Sequence, residues 1–192
     1  VKKMIAEVKR FGTRGSPDDV SLVAIEVGLE RLGPSAIPEA LDILEAGDER
    51  DEVLGGLARG LVQLREVGDP RIEAAICSRF GPSPRAGRLS TSETDVLTFH
   101  LLESLRVSEY RCPGAVAAAA ALYRRSSNEF VRSGVAETLG AIGKTAADIG
   151  TVEALLREEQ DDRLRWKLLF ALQDVKKRTR NTEGHRKPTP DT

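Results

Sequence analysis

The feature that most constrains this chain is an apolar pattern that returns at nearly constant spacing. In residues 131–143, Val131, Val135, Leu139 and Ile142, with Ala136 beside them, fall on one face of a helix. A shift of 33 residues brings Leu164, Leu168, Leu169, Leu172 and Val175 to the matching places. A shift of 78 in the other direction brings Val53, Leu57, Ala58, Leu61 and Leu64, with Gly56 opposite Gly134. Two copies are weaker. One holds Ile25, Leu29 and Leu32 but has Ser21 and Glu26 at apolar places; the other holds Leu97, Leu101, Leu102 and Leu105 and ends on Ser108. The anchors 21, 53, 97, 131 and 164 are spaced by 32, 44, 34 and 33 residues. A unit of this length cannot bury its apolar faces alone, so such units stack into arrays.

The long interval contains residues 81–92, a Gly/Pro/Ser-rich segment with turn and loop chemistry. Between anchors lie second apolar segments at 37–44, 72–80, 116–123 and 149–156. Each repeat therefore reads as a helix A, a tight turn and a helix B. Ser16 before Pro17 is a helix start, Gly33-Pro34 and Gly68-Asp69-Pro70 separate helices, and Cys112-Pro113-Gly114 opens another. Asp161 or Asp162 caps the last long helix. The expected fold is all-α: a right-handed α-α superhelix, a solenoid of about four to five helix pairs. One repeat domain is expected over 1–179, with an inserted loop at 81–92 and a basic, disordered tail at 180–192.

Composition agrees. Aromatic residues make up only 4%, so Leu, Ala and Val supply the burial. Charged residues reach 31% but the net charge is −1, which gives no global pull toward nucleic acid or a membrane surface. Residues 176–192 carry Lys176, Lys177, Arg178, Arg180, Arg186 and Lys187 against Glu183 and Asp191, a net of +4, leaving −5 for the rest. No apolar run approaches the roughly 18–20 residues of a membrane span. Cys77 and Cys112 show no disulfide or metal spacing and fit a reducing, cytoplasmic setting. The start at Val1 points to an unusual start codon or a trimmed chain, with Met4 an alternative start.

The stretch from Asn128-Glu129-Phe130-Val131-Arg132 to Ala141-Ile142-Gly143 resembles a HEAT repeat of the short bacterial type named after phycobilisome lyases. That family shows an acidic residue, then Val-Arg, Ala, Ala-Leu-Gly and Ile-Gly. Asp161-Asp162-Arg163-Leu164-Arg165 repeats the start, while Leu54 replaces the arginine in the copy at 53. The resemblance implies an inter-repeat ladder of Arg132 and Arg165, with Glu129, Asp161 and Asp162 as partners. Ordinary solvated ion pairs are the alternative.

Chemistry for catalysis is sparse. His100 lies within a helix between Phe99 and Leu101 and reads as a packing residue; His185 lies in the polar tail. The run from Gly140 to Thr145 ends in Gly-Lys-Thr, but Thr138 stands where a phosphate loop needs its first glycine, so the run reads as a helix C-terminus. The expectation is no enzyme, no metal and no cofactor. Two binding surfaces stand out. Glu39, Asp42 and Glu45 form an acidic stripe on the first helix B. Trp166 and Phe170, four apart on the last helix, lie off its core stripe. They either form an exposed patch for a partner or second copy, or pack on the preceding helix B near Leu155 and Leu156. The leading function is a protein–protein scaffold, adaptor, or regulatory or immunity-type subunit. A homodimer through the C-terminal end is a further expectation. The alternatives are a backbone-binding protein like DNA-repair glycosylases, which Arg124, Arg125 and the basic tail bring in, and a lyase-type accessory, implied by the family name alone.

Overall fold

The repeating apolar faces become ten α-helices, with no strand among the described residues. They are α1 (Lys2–Gly12), α2 (Asp19–Leu32), α3 (Ile37–Ala46), α4 (Asp51–Gln63), α5 (Pro70–Ser78), α6 (Thr91–Ser108), α7 (Ala115–Arg125), α8 (Glu129–Ile142), α9 (Ala146–Glu158) and α10 (Asp162–Gly184). This computed structural model describes residues 1–12, 19–64, 69–80, 91–108 and 112–184. The Ser16-Pro17 start, Gly68, most of the 81–92 insertion, and His185, Arg186 and Lys187 lie outside the described residues. Residues 91 and 92 of the insertion already belong to α6. The order is the one expected: A helices α2, α4, α6, α8 and α10 alternate with B helices α3, α5, α7 and α9. The chain divides into two compact units, Val1–Gly114 and Ala115–Thr192.

In the first unit α4 packs between α2 and α6. Its glycines permit this on both sides. A Cβ on Gly56 would stand 2.7 Å from the Leu22 carbonyl oxygen of α2, and one on Gly55 would stand 3.0 Å from the His100 Cβ of α6. Ile25, Leu29, Leu57, Leu61, Leu102 and Leu105 fill the core around these contacts. The glutamate at an apolar place in the weak first copy is also explained. Glu26 is buried and accepts an ion pair from Arg59 of α4 at 2.9 Å.

The reading of Cys77 and Cys112 as separate thiols is overturned. They form a disulfide, with Cα atoms 4.7 Å apart, joining the end of α5 to the residue before Pro113. No local spacing signals it, because the cysteines are 35 residues apart and meet only through the packing of the unit. The bond also removes the thiol argument on which the cytoplasmic placement rested.

In the second unit α8 and α10 lie side by side, with α7 and α9 packed against them. Close approach again rests on glycine: a Cβ on Gly140 would stand 3.0 Å from the Ala171 Cα, and one on Gly143 would stand 2.7 Å from a Val175 methyl. Gly143 is the C-cap of α8, as read from the sequence. Thr145 and Asp148 form a capping box that starts α9. Asp161 caps α10, its Oδ1 accepting from the Arg163 and Leu164 N–H groups at 2.9 and 3.0 Å.

The tail boundary at 180 needs correction, because α10 runs on to Gly184. Two residues hold these last turns. Arg178 donates to the Gly140 and Ala141 carbonyls at the end of α8, and Thr179 is buried, its hydroxyl donating to the Val175 carbonyl at 2.9 Å. A cation on the last free carbonyls of a helix satisfies both hydrogen bonding and the helix dipole.

Candidate protein-interaction surface

Two sets of side chains in the second unit stand apart from ordinary packing. One is buried and polar, the other exposed and aromatic.

The buried set centres on Glu159, which follows α9. Glu159 is 4% exposed and accepts from the Tyr123 hydroxyl of α7 and from the Arg132 guanidinium of α8. Its other oxygen accepts from the Gln160 and Asp161 N–H groups, both at 2.9 Å. The Arg132 guanidinium carbon also lies 4.7 Å from the Tyr123 ring centroid, a cation–π contact. Burial pushes the Glu159 carboxyl up, but the Tyr123 hydroxyl, the Asp161 N–H and the Arg132 charge together hold it below the usual carboxylate range. Burial, then the hydrogen bond to Glu159, push the Tyr123 hydroxyl well above its ordinary value. Both Glu159 oxygens are engaged internally, as in a structural clasp, while Arg132 Nε is buried without a hydrogen-bond partner among the described residues.

This clasp replaces the expected ladder. Arg132 pairs with Glu159 rather than with Glu129, Asp161 or Asp162. Glu129 instead faces Arg163 at 4.0 Å on the surface. Arg165 donates to the Leu156 and Glu159 carbonyls at 3.3 and 2.9 Å, closing the C-terminus of α9. Asp161 is a cap, and Asp162 stands exposed in the first turn of α10, where a negative charge suits the helix dipole. The sequence missed Glu159 and Tyr123, since neither sits at a place that the repeat pattern marks.

The exposed set lies on α10. Leu164, Leu168, Ala171, Leu172 and Val175 are buried against the unit. Trp166 and Phe170 are 63% and 59% exposed, with ring centroids 6.2 Å apart. Of the two arrangements the sequence allowed, the structure has the aromatics facing water rather than packed on α9. On the same outward side follow Gln173, Lys177 and Arg180, all exposed.

Of the basic residues from 176 onward, Lys176 pairs with Glu153 at 2.9 Å and Arg178 caps α8; earlier on α10, Lys167 pairs with Glu137. Arg124 pairs with Glu158 at 2.7 Å, and its hydrogen bond pulls that carboxyl below its usual range.

The acidic stripe in the first unit is partly neutralised. Glu39 accepts from the Val1 amino group at 2.9 Å and from the Lys2 N–H at 3.1 Å, contacts that lower its pKa. Asp42 and Glu45 are exposed and lie in the field of Arg71 on α5, whose main partner is Asp69. His100 lies against Gly55, as a packing residue does. Among the described residues, no group of three or more His, Cys, Asp or Glu side chains could hold a metal ion, and no helix is long and apolar enough to cross a membrane.

Comparison with known families agrees with the architecture. The model of the family described as HEAT repeats matches residues 87–173, from within the insertion to the middle of α10. Over that span the chain is HEAT-like. It has no significant match among curated proteins or among solved structures.

Proposed function

We propose that this chain is a non-catalytic protein-binding module, of adaptor or regulatory type, that engages its partner through the outward face of α10. HEAT repeats commonly mediate protein–protein interaction. The observation that carries the reading is the adjacent exposure of Trp166 and Phe170. Aromatic residues are scarce here, and two of them stand together in water on one helix. Burying two such side chains is worth about 3–6 kcal/mol, enough to anchor an interface. The pairing of Lys167, Lys176, Arg124 and Arg178 within the unit favours a protein over a nucleic-acid backbone.

The test is capture by the full tagged chain from a nuclease-treated lysate of its host, beside the W166S/F170S variant. A stoichiometric protein partner should be retained at roughly 200 mM salt, where backbone-driven nucleic-acid contacts weaken. It should be lost in the variant, with circular dichroism melting unchanged. Capture indifferent to both substitutions, or nucleic acid recovered in place of protein when nuclease is omitted, refutes the reading.

A further inference from the structure

We infer that the occupant of this face is an acidic amphipathic helix of another protein, stacked on α10 as a following helix A would stack. The inference rests on the reading of α10 as a docking face and adds the chemistry of what docks.

The first argument is register. The shift that superposes the apolar anchors also superposes the surfaces through which A helices meet. In α4, Gly56 and Gly60 face the preceding helix α2. Their counterparts in α10 are Lys167 and Ala171, and these face the preceding helix α8: Lys167 pairs with Glu137, and Ala171 meets Gly140. The backward face therefore holds its register along the chain. The forward face is given by Gly55 of α4, which meets His100 of α6, and by Glu137 and Gly140 of α8, which meet α10. At the same shift these positions become Trp166, Phe170 and Gln173. The exposed aromatics thus occupy the positions through which the A helices of this chain receive the next helix.

The second argument is spacing. Arg163, Trp166, Phe170, Gln173, Lys177 and Arg180 follow one another at alternating intervals of three and four. That spacing forms a straight seam for one partner helix, about 26 Å long.

The third argument is charge. The seam contains no acid. The cations beside it are neutralised internally, whereas among the described residues Lys177 and Arg180 have no ion-pair partner, and Arg163 has only the exposed Glu129 at 4.0 Å. Its aromatic centre is therefore flanked by positive charge at both ends. A second copy of α10, itself rich in Lys and Arg, would bring like charges together. A helix with apolar residues at the same spacing and carboxylates beside them meets both the rings and the cations.

Three labelled synthetic peptides of about 21 residues test this: one with Leu at three–four spacing flanked by Glu, one with Lys replacing every Glu, and one with the Glu composition kept and the Leu positions scrambled. Affinity is read by anisotropy with the full chain, and burial by the emission of Trp166, the one tryptophan. The spaced Glu peptide should bind at least about tenfold more tightly than the other two and shift Trp166 emission to the blue. K177E/R180E should weaken it about tenfold and favour the Lys peptide. Equal binding of the Glu and Lys peptides overturns the acidic partner, and equal binding of the scrambled peptide overturns the helical seam. Self-association in sedimentation equilibrium, with Trp166 already buried, assigns the face to a second copy and overturns the inference. No Glu-peptide binding at about 1 mM overturns it too. If lysate capture is still lost in W166S/F170S, the docking face survives that result; if capture is unaffected, the docking face fails as well.

Discussion

Replacing Cys77 and Cys112 together by alanine, or reducing the native protein, opens a covalent loop whose ends are 35 residues apart. In the chain-entropy account, a cross-link of that span restricts the unfolded chain by about 3.8 kcal/mol at 25 °C. The full value is not expected. The loop contains α6, which packs on α4 with His100 against Gly55, and residual helix in the unfolded chain lowers the entropy recovered on opening. A loss of about 3 kcal/mol follows, a large share of the 5–15 kcal/mol typical of a domain. Hydrogen exchange read by mass spectrometry reports it in the unit concerned. The slowest amides of α4 and α6 should exchange roughly 100-fold faster in the variant, since each 1.4 kcal/mol is a factor of ten. Reduced native protein should match the variant, which separates the cross-link from the change of side chain. Slowest amides that keep their rates in both samples would refute the reasoning, because no loop closure would then be supporting the unit.

Two further perturbations test the packing. Glu159→Gln keeps the shape of the buried clasp but removes its charge, leaving Arg132 and Tyr123 poorly matched; the second unit should lose about 1–3 kcal/mol in urea melts followed by circular dichroism. The same group sets an acid limit. Its folded pKa lies below the unfolded value of 4.5, so its contribution is complete above that pH and is lost as pH falls through the folded value. Acid destabilisation below 4.5 should be shallower in Glu159→Gln, and identical acid profiles would remove Glu159 from the account. Gly56→Ala forces a methyl against the Leu22 carbonyl oxygen and should cost about 1–3 kcal/mol; an unchanged thermal melt would contradict the α2–α4 contact.

What could be read from the sequence was what depends on periodicity. The helices, their A/B order and the core stripe of α10 all follow from apolar spacing, and the Asp161 cap and the Gly143 C-terminus follow from local backbone chemistry. Contacts between elements were less legible. The Arg132 partner was sought beside the next Val-Arg start, yet it is Glu159, which lies 27 residues on at the end of the intervening helix B. Lys176 and Arg178 looked like a solvated basic tail because composition does not show that α9 offers Glu153 to the one and α8 two carbonyls to the other. Cys77 and Cys112 looked unrelated because 35 residues of sequence hide one turn of packing. In each case the residue type was conspicuous and its partner was set by three-dimensional placement.

The aromatic face was legible in part for the same reason. Its residues are local, four apart on one helix, and the core stripe fixes which way they point. Its meaning comes from the repeat. The position held by Gly55 in α4, Phe99 in α6 and Ser133 in α8 is held by Trp166 in α10. A forward face left in water is served by polar residues, which is how exposed ends of repeat arrays remain soluble. The seam on α10 instead puts two rings at its centre and, at its C-terminal end, cations with no ion-pair partner among the described residues, while the cations on its flanks are spent on Glu137, Glu153 and the end of α8. Internal neutralisation on the flanks with free charge along the seam is what a surface matched to an apolar, negatively charged helix requires, and neither an ordinary stacking face nor a solvated one has that distribution.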